Sequence, residues 1–151
     1  MLTRERGLMF SKLDESAFAN VDLDIFSSED LQPLVEAFGN KVIEMWVGKV
    51  RRTYEAHLEL GWSNKQTPTS VILGFCRLIE SLKPSKRKLW DNSKTRSFDI
   101  GLHAPTRNHH YWSAVSADAV RAAAAVGAQI AITVYGPMKA ANKKPSKKLP
   151  K

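Results

Sequence analysis

Cysteine is almost absent from this chain of 151 residues, which holds only Cys76. Without a second thiol no internal disulfide can form, so the fold must rest on apolar burial, and a reducing compartment is expected. Long hydrophobic runs are missing as well. No segment approaches the ~20 apolar residues of a membrane helix, and "GLMF" near the N-terminus is too short for the core of a signal peptide. A cytoplasmic location follows as the expectation. Catalytic signatures are missing too: there is no phosphate-cradling glycine loop, serine elbow, HExxH helix or paired CxxC. Nor is there an internal repeat. Acidic residues are absent from 136–151, "GPMKAANKKPSKKLPK", which holds six lysines.

What remains is a composition of 43% apolar and 25% charged residues, that of one globular domain. The net charge of +8 is unevenly placed. The lysine-rich end carries +6, and "LKPSKRKLWDNSKTR", residues 82–96, carries +5, so the rest of the chain balances at −3. The body is mildly acidic, with one basic connection and one basic tail. The organisation expected is an N-terminal extension over 1–17, a single α+β domain over 18–135, and a disordered lysine-rich tail over 136–151.

Alternation of apolar and polar residues in "FANVDLDIF" predicts a strand with Val21, Leu23 and Ile25 on one face and Asp22 and Asp24 on the other. Leu31, Leu34, Val35 and Phe38 then follow helical spacing, with Asp30 as the cap and Gly39 as the stop. "KVIEMWVGK" and "RRTYEAHLELG" predict a hairpin turning around Gly48 to Arg51. In its first strand Ile43, Met45 and Val47 should share one row, with Glu44 and Trp46 on the other. In its second, Tyr54, Ala56, Leu58 and Leu60 should oppose Glu55, His57 and Glu59. "TPTSVILGFCRLIESLKP" predicts a helix capped by Thr67, opened by Pro68 and closed by Pro84. Past the basic connection come the strand "SFDIGLHA", a helix capped by Ser116 and stopped by Gly127, and a last strand, "QIAITVY". The order β-α-β-β-α-β-α-β predicts a two-layer sandwich. Its mostly antiparallel five-stranded sheet has helices on one face and begins with a ferredoxin-like unit, to which an extra αβ unit is added.

The phrases "LDIFSSEDLQPLVEAFG", "FCRLIESLKPSKRKLWD", "FDIG" and "VGAQIAITVYG" resemble the bacterial family known as domain of unknown function 4279, over roughly residues 18–136. The resemblance implies a compact α+β fold in a bacterial protein. It carries over no catalytic residue and no cofactor.

Several constellations invite chemistry. His57 lies between Glu55 and Glu59 on one strand face, where His103 or Asp99 would have to complete a metal site; a solvated face is the expectation, with no metal. "HAPTRNHHYW" holds three histidines, but adjacent His109 and His110 diverge in any regular element, so this stretch reads as a surface connection. Cys76 sits on the apolar stripe of its helix and reads as core.

Two surfaces could hold a macromolecule. The open sheet face gathers Asp22, Asp24, Glu44, Trp46, Glu55, His57, Glu59, Asp99 and Tyr135, a set suited to a basic protein partner and hostile to a phosphate chain. Small bacterial immunity proteins often have this character. The alternative is weak, sequence-independent nucleic-acid binding through Lys83, Lys86, Arg87, Lys88, Lys94 and Arg96 together with Lys143, Lys144, Lys147 and Lys148 of the tail. A third arrangement would lay the tail across the chain's own acidic face. The expectation is a non-enzymatic binding module without a cofactor.

Overall fold

A computed structural model describes residues 18–61, 66–104 and 112–136. The expected extension over 1–17, the tail beyond Gly136 and the histidine pair His109 and His110 lie outside the described residues. Five strands form one sheet: β1 (Phe18–Ser27), β2 (Val42–Val50), β3 (Thr53–Leu60), β4 (Thr95–His103) and β5 (Gln129–Tyr135). Four α-helices accompany them: α1 (Gln32–Phe38), α2 (Pro68–Glu80), α3 (Pro84–Asp91) and α4 (Ala117–Ala125). Among the described residues no helix is long and apolar enough to cross a membrane.

Strand order is β2-β3-β1-β4-β5. The pairs β1–β3, β1–β4 and β2–β3 are antiparallel, while β4 and β5 run parallel. The connection from β1 to β2 leaves room for β3 between them, and that from β3 to β4 leaves room for β1. This is the interleaved pattern of the ferredoxin-like unit, with β5 added beside β4 through α4. The expected α+β sandwich is therefore the observed one.

Period-two alternation decides which residues meet the helices. Val21, Leu23 and Ile25 of β1, Ala56 and Leu58 of β3, and Phe98 and Ile100 of β4 are buried in a single core with Leu34, Val35, Phe75, Cys76 and Ile79 from the helices. α2 is fixed at its start by a reciprocal cap, in which the Thr67 hydroxyl accepts from the Ser70 amide and the Ser70 hydroxyl accepts from the Thr67 amide. The Ser116 hydroxyl accepts from the Ala119 amide at the start of α4. The capping position of α1 is Leu31, with no side-chain cap, and not the expected Asp30, whose carboxylate accepts from the Gln32 amide; since the helix begins at Gln32, Pro33 falls in its first turn, where its missing N–H has no partner to lose.

Three further expectations need correction. Pro84 does not merely close a helix; α2 ends at Glu80 and Pro84 opens α3, so much of the basic connection is helical. The anchor is Trp90, fully buried, whose indole Nε1–H donates to the Val126 carbonyl at 2.8 Å. Gly48 is not in the turn: β2 runs through Val50, and Arg51, at φ 55°, begins the reversal.

The third correction concerns β2. Glu44 pairs with Leu58, but Trp46 pairs with His57, so Met45 is an extra residue in a bulge. A bulge resets the two-residue alternation. Glu44 therefore shares the helix-side face with Leu58, and Ile43 and Trp46 share the other face with Glu59 and His57. Ile43 and Met45 are exposed instead of forming a buried row with Val47.

Candidate functional site

Because the helices all pack on one face, the reverse of the sheet brings together the polar row of each strand. Directly paired residues on neighbouring strands share a face. One row crosses the sheet as Ile43, Glu59, Asp22, Asp99 and Ala131. The next is Trp46, His57, Asp24, Ser97 and Gln129, followed by Gly48, Glu55, Phe26 and Thr95. Of the nine residues expected on the docking face, eight are placed there; Glu44 is the exception, moved by the bulge. Their carboxylates occupy β3, β1 and β4, a span of about 10 Å across the strands.

The face carries no lysine or arginine on any of its five strands. The two cations of the central and edge strands turn the other way. Lys49 pairs with Tyr54 and lies over its ring, and Arg96 pairs with Ile25 and lies over Trp90. Five carboxylates thus share one face with two histidines, His57 among them and His103 beside Tyr135 at the far end of β4.

His57 is held from two sides. Its Nδ1 lies 2.7 Å from Asp24 Oδ1 and its Nε2 3.3 Å from Glu55 Oε2. A neutral imidazole can donate from only one nitrogen, so two acceptors favour the doubly protonated ring. Burial pulls the His57 pKa down, but the hydrogen bonds to Asp24 and Glu55 and their charges outweigh it, and the net shift is upward. The Phe26 ring meets the imidazole edge-on at 5.8 Å, and the Trp46 ring lies 6.2 Å away.

The neighbouring row has no such base. Asp22 lies directly between Glu59 and Asp99. Its close partner is the neutral Asn20 amide, which donates to Asp22 Oδ1 at 2.8 Å and to Glu59 Oε1 at 3.2 Å. Burial, and after it the charges of Glu59, Asp24 and Asp99, push the Asp22 carboxyl up from 3.8 to about 6. Asp99 accepts from the Thr133 hydroxyl through Oδ2 at 2.7 Å, while its buried Oδ1 has no hydrogen-bond partner among the described residues.

Two glycines shape the face. A Cβ on Gly48 would come within 3.1 Å of the Trp46 ring, so its absence lets the indole lie down along β2. A Cβ on Gly101 would meet the Asn20 amide oxygen at 2.6 Å and the Tyr135 ring at 3.1 Å. Each aromatic is pressed toward the sheet yet stays roughly 44% exposed, Trp46 at 43% and Tyr135 at 44%.

The metal alternative lacks its geometry. His103 sits beside Tyr135, with ring centroids 5.8 Å apart, six residues along β4 from the position level with His57. At the rise of a strand that is about 20 Å. Among the described residues no group of three or more His, Cys, Asp or Glu side chains is placed to hold a metal ion. Cys76 is buried in the core, away from any histidine of this face.

The basic set is partly occupied within the fold. Arg87 pairs with Asp91 one turn along α3 at 3.0 Å, and Arg96 donates to the Asp91 and Trp90 carbonyls at 3.0 and 3.4 Å. Lys83, Lys86, Lys88 and Lys94 remain on or next to α3. Lys143, Lys144, Lys147 and Lys148 lie outside the described residues.

Asn20, Phe26, Ile43 and Thr133 belong to the face but were not among the residues expected there. Strand alternation already places Asn20 and Phe26 with Asp22 and Asp24, and Thr133 with Tyr135. Ile43 was hidden by the bulge. No protein-family model matches the chain, and no curated protein or solved structure shows significant similarity to it.

Proposed function

We propose that this protein is a non-enzymatic binding module that recognises a basic protein segment on the open face of its sheet, in an immunity-like or regulatory role. The observation that carries the reading is the composition of that face: five carboxylates, no lysine or arginine, and two half-exposed aromatic rings. A like-charge row leaves electrostatic free energy unfavourable until a cation arrives, and Asp22, held at about 6, registers that tension. Arginine side chains fit best, since a planar guanidinium can bridge carboxylates and stack on Trp46 or Tyr135. Nucleic-acid binding is the weaker alternative, for Arg87 and Arg96 are engaged inside the fold.

The test is retention of a basic protein from host lysate on the immobilised chain, eluted with salt. The double variant Glu55→Lys, Glu59→Lys should deplete that protein at least ~10-fold, equivalent to about 1.4 kcal/mol. Glu44→Lys, on the helix-side face of the sheet, should retain it. Equal recovery on all three proteins would remove the sheet face from consideration.

A further inference from the structure

The two edges of the sheet are built differently. β2 is protected: it is broken by the bulge at Met45, and Glu44 and Lys49 place charge on its helix-side row. Such features block pairing with another strand. β5 has none of them. "QIAITVY" contains no charge, no proline and no glycine, its pairing with β4 is free of register shifts, and among the described residues no strand covers its other side. Its helix-side row also emerges from the core unprotected. Ile130 packs against the core, but Ile132 is 65% and Val134 61% exposed.

The backbone of β5 has a defined open side. The Tyr135 carbonyl accepts from the Ala104 amide at 2.8 Å, so it turns toward β4. Successive residues alternate their N–H and C=O groups between neighbours. Ile130, Ile132 and Val134 therefore direct theirs outward, at the same positions whose side chains are apolar. One added strand would pair these groups and cover these side chains at the same time.

We infer that the occupant is a second copy of this chain, joined β5 to β5 antiparallel about a two-fold axis at Ile132. The strand is palindromic in chemical character around that residue. In this register Ile132 meets its own copy, Ile130 meets Val134, Ala131 meets Thr133, and Gln129 meets Tyr135. The helix-side pairs, Ile132 with its copy and Ile130 with Val134, match in size and polarity, the other two pairs are uncharged, and no charge is placed at the contact. The residues that pair across the axis with hydrogen bonds are Ile130, Ile132 and Val134, those with free backbone groups. A two-fold contact must be self-complementary, and it closes after two copies. The axis stands perpendicular to the sheet, so the sheets become continuous and both acidic faces lie on the same side.

Sedimentation analysis of the full chain, from micromolar to ~100 µM, tests this directly. The expected result is a dimer that Ile132→Lys converts to a monomer, weakening association at least ~100-fold. Position 132 is exposed, so the variant should keep the wild-type circular dichroism. Ile43→Lys, near the other edge, should leave the dimer intact. Hydrogen exchange supplies a second readout: the Ile130, Ile132 and Val134 amides should be protected in concentrated protein and exchange rapidly on dilution. A monomer throughout, open-ended oligomers, a dimer indifferent to Ile132→Lys, or a dimer whose β5 amides exchange freely would each overturn the inference.

Discussion

Asp22 and Asp99 stand directly opposite each other on adjacent antiparallel strands, with Glu59 on the other flank of Asp22. Like charges in this position destabilise a sheet, and among the described residues no lysine or arginine of the strands faces them. The fold therefore carries an unfavourable electrostatic contribution at neutral pH, and its location can be tested.

Asp22→Asn should stabilise the protein at pH 7 and have little effect near pH 3. The folded carboxyl titrates at about 6 instead of 3.8, so the native state holds more protons than the unfolded state between those values. Stability then falls as pH rises through that window. The full shift corresponds to about 3 kcal/mol; with discount for solvent screening at a partly exposed group, a gain of roughly 1–2 kcal/mol is expected. Urea denaturation of both proteins at pH 3 and pH 7 provides the comparison, and equal differences at the two values would refute the assignment.

His57→Gln should destabilise, and more so in acid. The imidazole between Asp24 and Glu55 has a raised pKa, so its protonated form contributes stability that is complete below 6.5 and lost as pH rises through the folded value. The expected loss is about 1 kcal/mol at pH 5.5, shrinking toward pH 8.5. Chemical denaturation across that range would show a constant loss if the contacts were only steric.

Trp90→Phe should lower stability by about 2–3 kcal/mol, and Trp90→Ala by about 3–5 kcal/mol. The indole is fully buried, and its N–H donates to the Val126 carbonyl just past α4. Removing it leaves that carbonyl without this donor and opens space under α3. Thermal unfolding would detect either loss; a neutral Trp90→Phe would mean that the hydrogen bond contributes nothing net.

Cys76 should resist thiol reagents in the native state and react fully in denaturant. Burial, and secondarily the nearby Glu80 charge, push its thiol up to about 11. Native reaction with a disulfide reagent at pH 8 should proceed at least ~100-fold more slowly than in unfolded protein. Fast native labelling would place the sulfur at the surface.

The face itself is largely legible in the sequence. β3, β4 and β1 from Asn20 onward are regular, the register shift in β1 falling before Asn20, so one apolar residue on each sets the direction of the side chains that follow, and Asp22, Asp24, Glu55, His57, Glu59 and Asp99 are placed. Glu44 was misplaced because a single extra residue in β2 reverses the alternation, and nothing in "VIEMWVGK" marks where the bulge will fall. In the sequence α3 has the character of a connection, because its lysines and arginine outnumber its apolar residues. Only the cavity that receives Trp90 makes the segment worth folding as a helix.

By itself, the sequence determined the element types and the in–out polarity of regular strands, since both depend on local periodicity. Tertiary structure alone decided strand order, the bulge, the companions of His57 and Asp22, and the bare edge at β5. Those features arise where residues far apart in the chain are brought to within a few ångströms, and no local pattern encodes that meeting.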